Sequence, residues 1–513
     1  MYFFFFYLLL FVFCHGAMAS ELVSAIPFDT SLPEHHLREA SLLRLSSDVE
    51  AVCSILHSTY PNLLVWDPLG PHGLKTINRT VDFEEASANY LSAESAARLP
   101  ACIFFPANAQ QVSSAVMVLN AHPTVRFGLK SGGHNPNPEF STASGGLLIS
   151  FRLNSCSVVP NANDQSVLVG AGCKWKDVYS ALQPLGKAAV GGRFGDIGVT
   201  GFILGGGLSY LSAQYGFACD NVLSFECVLA NGTIVTASAN SHSDLYFALR
   251  GGGNQFAIVT RLKLRTWDVG YKGIVWGGVR AYAAAQQPAL LAAIANFTTN
   301  SDAHPKAALL PNFNFIGALG PVSLVFFFYD GSLPPTNVFA EFDRLPSLWN
   351  DTKQRTYENL HEDVFSGDLK QLRIVIRENT FPNMPLSQMS SFLVKHNTAL
   401  HQVAESLAES FDLRVLSCEI QPMPRTIVEA SWNTGGANAL SLAPEHGDRL
   451  WIVYHLAWLQ PSCDKKCPSS FQKVVESMHD LHNTNFSRIA PTNYKHGNLS
   501  IIRKVLFCIS YHF

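Results

Sequence analysis

Lys130-Ser131-Gly132-Gly133-His134 is the stretch on which the fold turns. Just before it, Val125-Arg126-Phe127-Gly128-Leu129 reads as a short strand, and the paired glycines then force a tight turn. Glycine tolerates unusual dihedrals and lets backbone approach a ligand closely. Successive N–H groups in such a turn form a concave anion site suited to a pyrophosphate. His134 follows, where its side chain would project over whatever the turn holds. A polar surface turn that happens to carry a histidine fits the same residues, so the choice rests on the rest of the chain.

A second glycine-rich stretch breaks the tie: Val190-Gly191-Gly192-Arg193-Phe194-Gly195-Asp196-Ile197-Gly198-Val199-Thr200-Gly201-Phe202-Ile203-Leu204-Gly205-Gly206-Gly207. It contains no G-x-G-x-x-G, so the Rossmann fingerprint is absent. Glycine supplies no side chain and loses much backbone entropy on folding, so such a segment makes sense as backbone laid against a large flat ligand. A third run, Arg250-Gly251-Gly252-Gly253-Asn254, precedes the strand-like Phe256-Ala257-Ile258-Val259-Thr260.

In this order and at these separations the three stretches resemble the PCMH-type FAD-binding domain of the vanillyl-alcohol oxidase and p-cresol methylhydroxylase superfamily. Within it the chain is most similar to the berberine-bridge-enzyme-like FAD-linked oxidoreductases of fungi. Tyr215-Gly216, Asp220-Asn221-Val222, the hairpin Ala230-Asn231-Gly232-Thr233 and Asp244 to Gly253 carry the likeness further. It runs closely from Pro100 to Thr266 and more loosely beyond. The resemblance implies an α+β fold: a two-subdomain PCMH-type FAD-binding domain (98–269) and a substrate domain with an antiparallel sheet backed by helices (270–458). Segment 20–97 would pack on the FAD domain, and 459–513 would return to it. The implied cofactor is FAD, bonded covalently through His134. Implied contacts are Lys130, Ser131, Gly132, Gly133, His134, Asn135, Gly191, Gly192, Asp196, Ile197, Val199, Thr200, Gly201, Leu204, Gly205, Gly206, Gly207, Tyr215, Gly216, Asn221, Ile258 and Asn493. Some relatives add a cysteinyl bond, but Ala188-Ala189-Val190-Gly191-Gly192 has no cysteine, so a single covalent link is expected. A pairing of Cys53 with Cys102 is also implied.

The wider composition is compatible with this. The 513 residues have room for about two to four domains and a substantial core. A formal charge of −3 without a basic block gives no electrostatic ground for a nucleic-acid partner. Charged residues at 15% and apolar residues at 47% suit a packed enzyme rather than a disordered scaffold. Met1 to Phe13 is an apolar run followed by Ala17-Met18-Ala19, a small-x-small pattern, so residues 1–19 read as a signal peptide cleaved before Ser20. The run is short for a span of about 20 residues. A secreted protein with no membrane segment after cleavage is therefore expected. Cys14 leaves with the signal peptide, and an even number of the 11 cysteines remains, as disulfides require. Cys463 and Cys467 could form a small local bridge; a zinc site there lacks further ligands at fitting spacing. Partners for Cys156, Cys173, Cys219, Cys227, Cys418 and Cys508 are not readable. Sequons stand at Asn78, Asn231, Asn296, Asn350, Asn485 and Asn498, with Asn231-Gly232 also an ideal hairpin turn.

Helices are expected at Ser47–Ser58, Ala109–Ala121, Trp175–Leu185, Pro288–Asn296, Val338–Arg344 and Pro385–Phe411, and at Ser243–Leu249 with Ser243 as its cap. Strands are expected at Cys102–Phe105, Arg126–Leu129, Gly146–Ser150, Ser166–Ala171, Phe225–Leu229, Thr233–Ala237, Gly273–Val279 and Val322–Phe328. Gly435-Gly436-Ala437-Asn438 and Leu450–Leu456 resemble the last strands of the substrate domain.

The reaction the resemblance implies takes hydride from a substrate C–H to flavin N5, with O2 as acceptor and hydrogen peroxide as product. The cofactor does the redox chemistry, and the protein positions it and supplies a base. Candidate bases are Glu419, Glu429, Tyr454 and His455, each of which fits a structural role equally well. Relatives carry Tyr-x-Asn-Tyr near the end; here Pro491-Thr492-Asn493-Tyr494 keeps Asn493 and Tyr494, with Tyr494 a further catalytic candidate. The segment from Leu499 to Phe513 departs from the family pattern. That leaves a flavin-binding protein without turnover as the alternative to a monomeric oxidase acting on an alcohol, sugar or secondary metabolite.

Overall fold

Three sheets organise the chain in the computed structural model, which describes residues 46–476 apart from 138, 154, 317–319, 363–371, 411–412 and 474. The expected signal peptide, Asn485, Asn493, Tyr494, Asn498, Cys508 and the atypical tail lie outside the described residues. The first sheet has four strands. Leu147–Ser150 lies between Cys102–Phe104 and Phe127–Lys130, parallel to both, and Leu64–Trp66 adds an antiparallel edge. Helix Ala109–Ala121 supports this sheet. Asn108 caps it by accepting from Gln111 N at 3.0 Å, and Val112, Ala115, Val116 and Leu119 form its buried stripe. Cys53–Cys102 bonds helix Ser47–Thr59 to the second strand, the pairing the resemblance implies.

The second sheet is antiparallel throughout, in the order Val158–Asn161, Ser166–Gly170, Ile258–Arg265, Val222–Val228, Ile234–Ser238. Asn231-Gly232 makes the expected tight hairpin, with Gly232 at φ +80° and Leu229 N bonded to Thr233 O at 2.9 Å. Helix Trp175–Leu182 buries Trp175, Val178, Tyr179 and Leu182 beneath the second glycine stretch.

The third sheet is also antiparallel. Its order is Trp349–Asn350, Ile274–Ala283, Gly320–Tyr329, Ala307–Ile316, Leu413–Met423, Arg449–Trp458, Arg373–Pro382, and Lys353–Thr356 also pairs with Ile274–Ala283. Side chains alternate between faces along each strand. Phe313, Phe327, Ile420, Ile452 and Tyr454 pack with Leu290 and Ile294 of helix Gln287–Asn300 and with Met389, Phe392 and Leu393 of helix Leu386–Ser410. The opposite face, with Phe328, Ile374, Ile376, Trp451 and Val453, shares one core with Trp175, Tyr179, Val199 and Phe202. The second glycine stretch is thus pressed onto the sheet face that turns away from the helices.

Two local expectations change. Ser243 is inside its helix rather than capping it: the cap position is His242 at φ +49°, with no capping side-chain bond. Gly435 ends helix Arg425–Gly435, and Gly436 at φ +68° stops it, so Gly435–Asn438 is no strand. Cys156–Cys173 and Cys463–Cys467 are further disulfides, while Cys219, Cys227 and Cys418 are free and buried. No helix among the described residues is long and apolar enough to cross a membrane.

Candidate active site

Strand Phe127–Lys130 delivers the first turn. Gly133 sits at φ +71°, and a Cβ there would lie 2.6 Å from Asn89 O, so both dihedral and space demand glycine. Leu91 N holds the turn by donating to Gly133 O at 2.9 Å. Lys130 is buried; its Nζ donates to Ala86 O and lies 3.8 Å over the Tyr90 ring. His134 is buried on the turn, and Asn135 behind it is fully enclosed. Asn135 Oδ1 accepts from Asn137 N at 2.9 Å, whereas its Nδ2 has no partner among the described residues.

The second glycine stretch meets this turn backbone to backbone. A Cβ on Gly132 would come within 2.5 Å of Gly198 N, and one on Gly198 within 2.6 Å of Gly132 N. Gly191 and Gly192 lie flat on the Trp175 ring, where a Cβ would reach 2.3 and 2.7 Å from ring atoms. Asp196 forms a buried ion pair with Lys174 at 2.5 Å, and Thr200 Oγ1 donates to Ala171 O at 3.1 Å. Ile197 and Val199 turn into the core, helix Val199–Leu204 contains Gly201 and ends at Gly205, and Gly206 and Gly207 take φ +104° and +78°. Tyr215, Gly216 and Asn221 brace this loop. Tyr215 stacks on Trp267 at 4.2 Å, Gly216 lies at φ +80°, and Asn221 donates to Tyr215 O and Phe217 O while accepting from Trp267 Nε1. Ile258 packs on the helix Ala109–Ala121 side. Beside the first turn, on the side away from the second glycine stretch's own residues, opens a small cleft lined in part by Lys130, Ser131, Gly132, Ser150, Arg152 and Lys174.

The sheet supplies the opposite wall. Ser417, Glu419 and Gln421 project from one strand toward the loop, joined by Asn312 and His455 from its neighbours. Arg193 Nη2 donates to Gln421 Oε1 at 2.8 Å, Gln421 Nε2 donates to Glu419 Oε2 at 3.0 Å, and His455 Nε2 lies 3.9 Å from Glu419 Oε1. Burial lowers the His455 pKa against the opposing pull of Glu419. Tyr210 stacks on Phe328 at 5.1 Å; burial pushes its hydroxyl well above the usual range, with Arg193 opposing and Glu419 adding. Tyr454 is a correction. It pairs with Cys418, one residue out of phase with Glu419, and so points to the helices, where His396 Nε2 bonds its hydroxyl at 2.7 Å. Glu429 is also displaced, lying on helix Arg425–Gly435 beside Arg425 at 3.8 Å. Arg193, Tyr210, Asn312 and Gln421 were not among the residues expected from sequence. The spacing Glu419-x-Gln421 could have signalled the last, because residues two apart share a strand face.

A family model described as an FAD binding domain matches residues 100–238. An FAD-linked oxidoreductase of Arthroderma benhamiae is 34% identical over 78% of this chain and 79% of its own length. The chain belongs to the FAD-linked oxidoreductases. A FAD-dependent monooxygenase of Penicillium roqueforti is 35% identical, covering 74% of each chain. In fold, the oxidoreductase is similar to 6-hydroxy-D-nicotine oxidase from Arthrobacter nicotinovorans (TM-score 0.62, 19% identity, 77% of this chain and 83% of that one). A berberine bridge enzyme variant matches at TM-score 0.61 and 18% identity, covering 88% of each chain. The residues of this chain fit FAD: the first turn presents Gly132 at a cleft that Lys130, Arg152 and Lys174 also line, and the enclosed Asn135 Nδ2 still has a hydrogen bond to give.

Proposed function

We propose that this FAD-linked oxidoreductase is a secreted, monomeric oxidase that dehydrogenates an alcohol, sugar or secondary metabolite, with FAD attached through His134 and O2 as acceptor. The FAD-binding part is taken as 98–269 and the substrate part as 270–458. Bound FAD supplies the two-electron acceptor. The chain's own residues do the rest. Lys130, Ser131 and the glycine turn bind the pyrophosphate, while His134 fixes the ring system and Glu419 takes the substrate proton with His455 beside it. The single observation that carries the reading is the placement of buried Glu419 on the sheet face against the second glycine loop. Cys53–Cys102, Cys156–Cys173 and Cys463–Cys467 support an oxidising, secretory route.

The test starts with the visible spectrum and acid precipitation. A yellow pellet is expected from wild type, and His134→Ala should leave the colour in the supernatant; wild-type flavin released by acid refutes the covalent link. Screening alcohols, sugars and aromatic metabolites should then give peroxide in step with substrate loss. Relatives named monooxygenases make oxygen's fate decisive: label from 18O2 in the product would refute an oxidase.

A further inference from the structure

Every residue from Gly192 to Gly195 is held from a different direction. Gly192 O accepts from Tyr179 OH at 2.7 Å, and Arg193 reaches Gln421 at 2.8 Å. Phe194 sets its ring edge on Phe326 at 5.7 Å, and Gly195 N donates to His361 O at 2.9 Å. Arg193 is therefore presented across the junction by an anchored loop. Beyond it, the buried Gln421 amide stands between a guanidinium and a carboxylate. Arginine can only donate and an ionised carboxylate can only accept, so the amide has one possible orientation, oxygen toward Arg193 and NH2 toward Glu419. Both bonds are charge-assisted, and each polarises the other.

We infer that Arg193 is a positioning residue for Glu419, acting through the Gln421 amide, so that seating the cofactor loop also sets the proton acceptor. The inference rests on reading Glu419 as that acceptor. A direct arginine–carboxylate pair would suppress proton uptake by whole pH units. An intervening amide fixes the carboxylate's rotamer while passing on only part of the cationic field. Among the described residues, the titratable and charged groups near Glu419 include His455 on the next strand, Cys418 beside it on its own strand, and Tyr210 and Arg193 from the loop side.

The test uses flavin-loaded wild type, Arg193→Lys, Arg193→Met, Gln421→Leu and Glu419→Gln, with kcat and KM measured on a substrate found by the screen above. Arg193→Met and Gln421→Leu should lower kcat by similar factors of about tenfold or more, with KM within about twofold. Arg193→Lys should recover at least half of the loss, and neither Arg193→Met nor Gln421→Leu should lower kcat further in the Glu419→Gln background. Unchanged kcat, a loss carried by KM instead, or losses that add to that of Glu419→Gln overturn the inference. Melting curves of Arg193→Met, Glu419→Gln and their combination give a second test that needs no flavin. The shifts should be non-additive with Gln421 present and additive in the Gln421→Leu background; additivity in both backgrounds overturns the relay. Colourless protein would sink the flavin reading alone, leaving the melting cycle to decide this one.

Discussion

Replacing Gly198 by alanine tests the junction on which the cofactor cleft depends. Gly198 has φ −68° and ψ 135°, dihedrals that alanine adopts freely, so the substitution introduces no backbone strain. Its Cβ would lie 2.6 Å from Gly132 N, 2.9 Å from Gly132 Cα and 2.9 Å from Ser131 Oγ. Ser131 Oγ can rotate away, although it then gives up its 2.7 Å bond to Ala171 O, but the Gly132 backbone can move only if the whole turn shifts. Overpacking costs about 1–3 kcal/mol where side chains yield, so a clash with backbone belongs at the top of that range. A loss of about 3 kcal/mol lowers the melting midpoint of a domain of about 150–250 residues by roughly 6–12 °C. Gly145→Ala is the control: φ is +65° with nothing within 4 Å, so it bears only the left-handed penalty of about 1–2 kcal/mol. The assay is the melting midpoint together with the flavin-to-protein absorbance ratio. Gly198→Ala should melt well below Gly145→Ala and retain less flavin. If it melts with wild type and keeps a full flavin complement, the two segments do not meet in the way described.

Acid should weaken the fold. Burial holds His361 and His396 down to about 4, against 6.5 for a free histidine. Each favours the folded state fully above pH 6.5 and loses that contribution as pH falls toward 4, at up to about 1.4 kcal/mol per pH unit. Asp220, pushed up by burial, works in the opposite sense. Chemical denaturation from pH 7 to 4.5 should show the decline, and His396→Gln should flatten it; a flat wild-type profile refutes the assignment. Asp196→Asn should cost about 3–5 kcal/mol by removing the carboxylate from buried Lys174, visible as a melting loss that Lys174→Met partly reverses. Removing the disulfides singly should lower the melting point in the order Cys53–Cys102, Cys156–Cys173, Cys463–Cys467, because their loops span 49, 17 and 4 residues. A reversed order would show that native-state contacts outweigh loop entropy.

The flavin-binding half was legible because its information is local. A glycine forced by φ +71° at Gly133, or by the flat ring of Trp175 under Gly191, leaves a glycine in the sequence, and the spacing of many such residues identifies the family. Helix Ala109–Ala121 and the Asn231-Gly232 turn were equally local signals. The substrate sheet was less legible. Strand Arg373–Pro382 is covered by protein on both faces and shows no clean alternation, while Ala307–Ile316 and Leu413–Met423 alternate polar with apolar residues only over the short runs 312–315 and 416–421. Pro311 and Pro422 also argue against strand on sequence grounds, yet both lie within the ladder. Tyr454 and Glu419, both candidates from sequence, lie on opposite faces of the sheet. Their strands pair directly, and a difference of one residue in register decides which face a side chain joins.

The site's polar line joins residues 228 positions apart, from Arg193 in the glycine loop to Gln421 on the sheet. No local rule could place that bond; it exists because two packed bodies meet there. The meeting surface is itself tight. A Cβ on Gly216 would lie 2.6 Å from Ser431 Cα, and one on Gly435 would lie 2.8 Å from both Arg250 Nη1 and Asp220 O. Those contacts exclude even a methyl group, so they fix how the sheet seats on the loop, and with it the distance from Arg193 to Gln421. On the proposed function, side chains on the sheet face such as Asn312 and Ser417 can change without disturbing this seating. Changes at the glycine contacts would instead shift Glu419, the proposed proton acceptor, relative to the loop.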